Sequence, residues 1–151
     1  MMAVDRFEPE IVAFCCHYCA YAAADLAGSM RLEYPTSIKI VELPCSGKID
    51  VLYVLRALED GADGVMVVGC LEGDCHYLEG NVNARRRVEY CQKLLGEIGL
   101  EPERVRMFYL SSAMANEFVA ATMEMVGQVS SVGPNPLRAP RIASTDTVGG
   151  E

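Results

Sequence analysis

Four short runs rich in β-branched residues alternate with longer stretches of helical periodicity, and this alternation restricts the fold more than any other feature of the chain. The runs are "IVAFC" at 11–15, "IKIVEL" at 38–43, "GVMVVGC" at 64–70 and "RVRMFYL" at 104–110. Strands alternating with helices are the pattern of βα units wound about a parallel sheet. The expected class is therefore α/β, a four-stranded parallel sheet flanked by helices. Between the runs, Val51, Leu52, Leu55 and Leu58 keep helical spacing up to Gly61, and a second helix is expected from about Asn81 to Ile98, stopping at Gly99. A last helix, from about Ser112 to Val126, would align Met114, Phe118, Ala121 and Met125 on one stripe, a pattern of core packing. Residues 1–10 read as an N-terminal extension, 11–131 as the domain, and 132–151, with three prolines and many small polar residues, as a flexible tail.

The seven cysteines fall on this frame in a regular way. Cys15 and Cys16 end the first strand, Cys45 follows the second, and Cys70 ends the third. Right-handed crossovers return parallel strands in one direction, so these ends share the C-terminal edge of the sheet, where α/β folds place their sites. Cys19 and Cys75, in the loops after the first and third strands, stay at that edge. Strand alternation sends Cys15 and Cys16 to opposite faces, so one of the two is expected at a shared site. Cys91 lies with Val88, Leu95 and Ile98 on one helix face and reads as core packing.

Composition narrows the use of these thiols. A chain of 151 residues builds a core without disulfide staples. Thirteen basic against 21 acidic residues, a net charge of -8, disfavour nucleic acid and anionic lipid as partners. The acidic start "MMAVDRFEPE" lacks the features of a signal peptide, and no apolar run has the length of a membrane span, so a cytoplasmic location is expected. In a reducing compartment an odd set of cysteines points to metal ligands, redox thiols or core residues.

Several chemistries can be tested on the letters. No cysteine has an arginine six positions later, which an oxyanion-binding thiolate loop requires, and there is no G-x-G turn for a dinucleotide. "CHYC" could serve as a redox dithiol, which accounts for only two of the thiols. Four thiolates could hold zinc, although structural zinc generally supports smaller cores than this. An iron–sulfur cluster accounts for more: C-x-x-C at 16 and 19 and C-x-x-x-x-C at 70 and 75 are both ferredoxin spacings. Cys16, Cys19, Cys70 and Cys75 form the first candidate set, with Cys45 the contender for one place. His17 and His76 are expected to bond a sulfur or make exposed contacts, and Arg85 to Arg87 to form a solvated face near that edge.

The stretches "FCCHYCAYAAADLAG", "PCSGKID", "GADGVMVVGC" and "GDCHYLEGN" closely resemble, in order and spacing, the iron–sulfur delta subunit of methyl-viologen-reducing hydrogenase, over about residues 11–110. The resemblance implies a 2Fe-2S protein that is no enzyme alone. It would pass electrons from a hydrogenase, formate dehydrogenase, NADH-linked or other donor subunit to the FAD-containing subunit of a heterodisulfide reductase, within an electron-bifurcating complex. The family often carries Asn-Trp in the first cysteine motif and His-Pro after the cysteine at 70, where this chain has His17-Tyr18 and Leu71-Glu72. The alternative of a different class is a zinc-stabilised scaffold that docks subunits without carrying electrons.

Overall fold

The structure, a computed structural model, describes residues 7–35, 37–71 and 80–137. Four strands, β1 (Ile11–Cys16), β2 (Ile38–Leu43), β3 (Gly64–Cys70) and β4 (Val105–Leu110), alternate with four helices, α1 (Ala22–Ser29), α2 (Val51–Glu59), α3 (Gly80–Glu97) and α4 (Ala115–Val132). All strand pairs are parallel, in the order β2-β1-β3-β4. The expected α/β class with its four-stranded parallel sheet is the observed one.

Strand alternation divides the core into two layers. Ile11, Ala13, Cys15, Met66 and Val68 pack with Ala23 and Ala27 of α1 and Phe118, Met125 and Val129 of α4. On the other face Phe14, Val65, Val67 and Val105 pack with Val54 and Leu58 of α2 and Ala84, Val88, Cys91 and Leu95 of α3. β3 is buried along its whole length, as a central parallel strand covered on both faces should be. The Met-bearing stripe of α4 is core, and Cys91 is fully buried in the α2/α3 layer.

Local chemistry sets the helix ends. The Asp50 side chain caps α2, accepting from the Leu52 N–H at 2.9 Å. Beyond α2 and α3 the chain turns at Gly61 and Gly99, with φ of 114° and 91°, and Ala62 and Leu100 donate back to Ala57 and Leu95. α4 begins three residues later than its apolar pattern predicts and runs six residues further, through Gly127 to Val132. Val129 is buried in that last stretch, so packing on the sheet outweighs the weak helix preference of one glycine.

Past α4, residues 133–137 remain tied to the domain by a buried polar knot at the N-terminal ends of the strands. The Asn135 side chain donates to the carbonyls of Leu58 (2.8 Å) and Ala62 (2.7 Å), while its backbone N–H donates to Asp63. Asp63 also accepts from the Glu10 N–H. Arg104, 1% exposed, donates to the Asp63 and Pro134 carbonyls and to Glu101. β1, β3, β4 and the segment after α4 are thereby joined at one point. Asn135→Ala would leave the Ala62 carbonyl without this donor, while the Leu58 carbonyl keeps the Gly61 N–H, and an unsatisfied buried acceptor costs about 1–3 kcal/mol. Urea unfolding is expected to show a loss of about 1–3 kcal/mol on that basis.

Candidate metal centre

The strand order reverses between β1 and β3, and ligands of open α/β sheets bind outside the carboxyl ends of the strands at such a point. Cys16 ends β1 and Cys70 ends β3. Their Sγ atoms lie 3.7 Å apart, and Cys19 Sγ approaches Cys70 Sγ to 2.8 Å. Cys19 reaches this point because the chain leaves β1 through a π-helical turn, His17–Tyr21, before α1 begins. Such wide turns are uncommon and recur at functional sites.

Cys45 follows β2, is 5% exposed and packs in the same buried cluster as Cys15, Cys16 and Cys70. The Gly47 N–H points at its sulfur, 3.3 Å away. Cys75 and His76, with the loop that carries them, lie outside the described residues. Three thiols in contact at a sheet edge are the soft donors that zinc and iron–sulfur clusters take, so the chemistry of the set fits such a group. Among the described residues no group of three or more His, Cys, Asp or Glu side chains could by itself hold a metal ion.

Cys15 and Cys16 share one buried cluster, although strand alternation places successive side chains on opposite faces. Cys16 is still extended, but it is the last strand residue, and from the open end of the sheet its Sγ reaches Cys70. Cys15 is completely buried, and burial, aided by neighbouring Cys16, pushes its thiol up to about 12. Burial, with Asp50 contributing, raises Cys91 to about 11.

His17 has the exposed role. Its Nδ1 pairs with Glu42 Oε2, its ring stacks on Tyr21, and Tyr18 meets it edge-on. Of the three arginines, Arg86 is exposed and Arg85 half-buried, whereas half-buried Arg87 donates to the carbonyls of Gly47 and Ile49 in the turn after Cys45. Asn81 is 1% exposed and donates to the Cys70 carbonyl at 2.9 Å and the Leu71 carbonyl at 3.0 Å. Sequence reasoning missed Asn81 and the Arg87 contacts. The one available signal was their position, in the first turns of the helix that follows the third cysteine strand.

Fold and site together define a doubly wound α/β protein with a thiol cluster at its topological switch point. Residues 11–133 match the family model of the methyl-viologen-reducing hydrogenase delta subunit, and the chain belongs to that family. The chain is 50% identical over 132 residues to an iron-sulfur subunit of the F420-non-reducing hydrogenase of Methanocaldococcus jannaschii, covering 87% of this chain and 98% of that one. The corresponding iron-sulfur subunit from Archaeoglobus profundus is 45% identical over 130 residues, 86% of this chain and 95% of its own. A third relative differs in build. It is a subunit of the ferredoxin:CoB-CoM heterodisulfide reductase of Methanosarcina mazei, 42% identical over 126 residues, 83% of this chain and only 16% of its own length. Among the described residues no helix is long and apolar enough to cross a membrane.

The raised thiols make a prediction independent of any metal. With its pKa near 11, Cys91 carries about one thiolate in a thousand at pH 8, so iodoacetamide should leave it unlabelled in the native protein and label it rapidly in denaturant. A folded-state pKa above the unfolded value means that the unfolded chain loses its proton first as pH rises. The contribution of this group is complete below about pH 9 and is lost towards pH 11, so chemical denaturation should show falling stability through that window.

Proposed function

We propose that this chain is an electron-transfer subunit that holds a 2Fe-2S cluster and acts only within a complex. In that reading it relays electrons from a hydrogenase, formate dehydrogenase or other donor to the FAD-containing subunit of a heterodisulfide reductase-type, electron-bifurcating assembly in the cytoplasm. The observation that carries the reading is the meeting of Cys16, Cys19 and Cys70 at the β1/β3 switch point in a member of this family. The proposed ligands are Cys16, Cys19, Cys70 and Cys75, with Cys45 the contender for one of the four places. The Methanosarcina relative supports the choice of acceptor, since its related stretch is part of a heterodisulfide reductase polypeptide.

When bound, the cluster accepts and releases one electron at a time. The chain's own residues supply the setting. Strand ends fixed by the sheet hold the Cys16 and Cys70 thiols in place with 1% and 0% exposure, and a dry surround tunes a centre's potential. An N–H directed at sulfur, as from Gly47 to Cys45, draws negative charge from a thiolate and favours the reduced state. Half-exposed Cys19 and the His17, Tyr18 and Tyr21 side chains around it bring the site to the surface, where a partner could dock. The domain 11–131 carries the centre in this proposal, and the tail within 132–151 contributes to assembly with partners.

Anaerobically purified protein is expected to contain about two iron and two acid-labile sulfide per chain and to absorb visible light. Cys70→Ser and Cys19→Ser should strip or destabilise the chromophore, whereas Cys91→Ala should retain it at a packing cost of about 1–2 kcal/mol. In stopped-flow assays with donor and flavin subunit, flavin reduction should depend on this chain. Stoichiometric zinc in a colourless protein, with flavin reduction equally fast in its absence, would replace the conduit by the docking scaffold.

A further inference from the structure

The turn after Cys45 spans both core layers. Cys45 packs with Cys16 and Cys70 in the α1/α4 layer, whereas Ile49, 1% exposed, packs with Val54 and Leu58 in the α2/α3 layer. The Lys48 N–H closes the turn on the Cys45 carbonyl at 2.9 Å. Two further carbonyls of the turn, those of Gly47 and Ile49, both accept from Arg87 Nη1, at 2.9 Å for Ile49. The turn also lies so close to the start of α3 that a Cβ on Gly47 would meet Gly80 Cα at 2.8 Å. One residue further along α3, Asn81 grips the Cys70 and Leu71 carbonyls.

The first two turns of α3 thus hold two cysteine-bearing segments that the sheet alone does not connect. β2 and β3 are not neighbours, because β1 separates them. A hydrogen bond from a charged donor is stronger than a neutral one, and losing it leaves its acceptor unsatisfied where it is shielded from water. An arginine is suited to the task, because its long stem can lie along the helix while the guanidinium reaches two carbonyls.

We infer that Arg87 is a positioning residue for the metal centre: by holding the Gly47 and Ile49 carbonyls it fixes the Cys45 turn against α3, and so sets where the Cys45 sulfur stands relative to Cys70. The inference rests on the proposed function for its redox consequence and on geometry alone for its structural one. Arg87 does not touch the cluster in this scheme. It acts through the turn.

Two readouts on the full-length chain test it. In reduced, metal-free protein, Cys45 reacts with iodoacetamide only when its turn opens, so Arg87→Ala and Gly47→Ala should each speed its labelling about tenfold, read by mass spectrometry. Cys91 labelling should stay unchanged as an internal control for global unfolding. In cluster-loaded protein the same two variants should keep their iron but shift the EPR spectrum of the reduced state and its midpoint potential, with Arg87→Lys between them and the wild type. Arg106→Ala, which breaks contacts to Glu124 and Gln128 on α4, should match the wild type in both readouts. Unchanged Cys45 labelling in Arg87→Ala would overturn the inference, as would faster labelling with an unshifted spectrum and potential. Should Arg87→Ala fail to fold, Arg87→Lys and Gly47→Ala decide by the same criteria. A wild-type protein without cluster would sink the electron-transfer reading, and with it the redox half of the inference, while the labelling arm still decides whether Arg87 holds the turn.

Discussion

Everything at the candidate centre depends on the parallel pairing of β1 with β3. Their register runs from Ile11 opposite Gly64 to Cys15 opposite Val68, so the two strands finish almost level. Because side chains alternate along a strand, a slip of one residue would carry Cys70 to the other face of the sheet, out of the layer it shares with Cys15, Val68 and Cys45. The register is protected by burial on both sides: Met66 and Val68 belong to one layer, Val65 and Val67 to the other. The thiols therefore meet because of where the aliphatic side chains of β3 must go.

Much of this was legible in the sequence, and the physical reason is periodicity. The four strands differ from the apolar runs by at most a residue, and Gly61 and Gly99 stop their helices, since strand burial and helix termination are local properties. The convergence of Cys16, Cys19 and Cys70 followed from strand direction alone, before strand order was known. What periodicity does not carry is contact between distant residues. Asp63 and Asn135 are 72 positions apart, and Arg87 and Gly47 are 40 apart. Each of these side chains looks like an ordinary surface residue until the partner carbonyl or N–H is placed. The π-helical turn at His17–Tyr21 was hidden for another reason: its letters are compatible with a regular helix, and only the demand that Cys19 return towards Cys70 distinguishes the wider turn.

The molecule divides its tasks between the two ends of the sheet. At the N-terminal ends of the strands, Asp63, Arg104 and Asn135 join three strands and the segment after α4 with buried, charge-assisted hydrogen bonds. Those bonds belong to the class whose loss destabilises most, because each leaves a buried polar group unmatched. At the C-terminal ends no comparable knot exists among the described residues. There the strand ends are held by Asn81 and Arg87 from one helix, and the side chains that converge are thiols.

This division bears on what the thiols are for. Small domains that need zinc to fold place their ligands where a hydrophobic core would otherwise be, and without metal they unfold. Here two apolar layers flank the sheet, and the knot at its far end joins three strands through buried hydrogen bonds. A sheet covered by apolar layers on both faces has less need of thiolate ligands for support than a small zinc domain. The gathering of Cys16, Cys19 and Cys70 at the switch point, with Cys19 half-exposed beside an aromatic rim, is the arrangement expected of a centre that exchanges something with a neighbour, and it supports the proposed electron carrier over a structural ion.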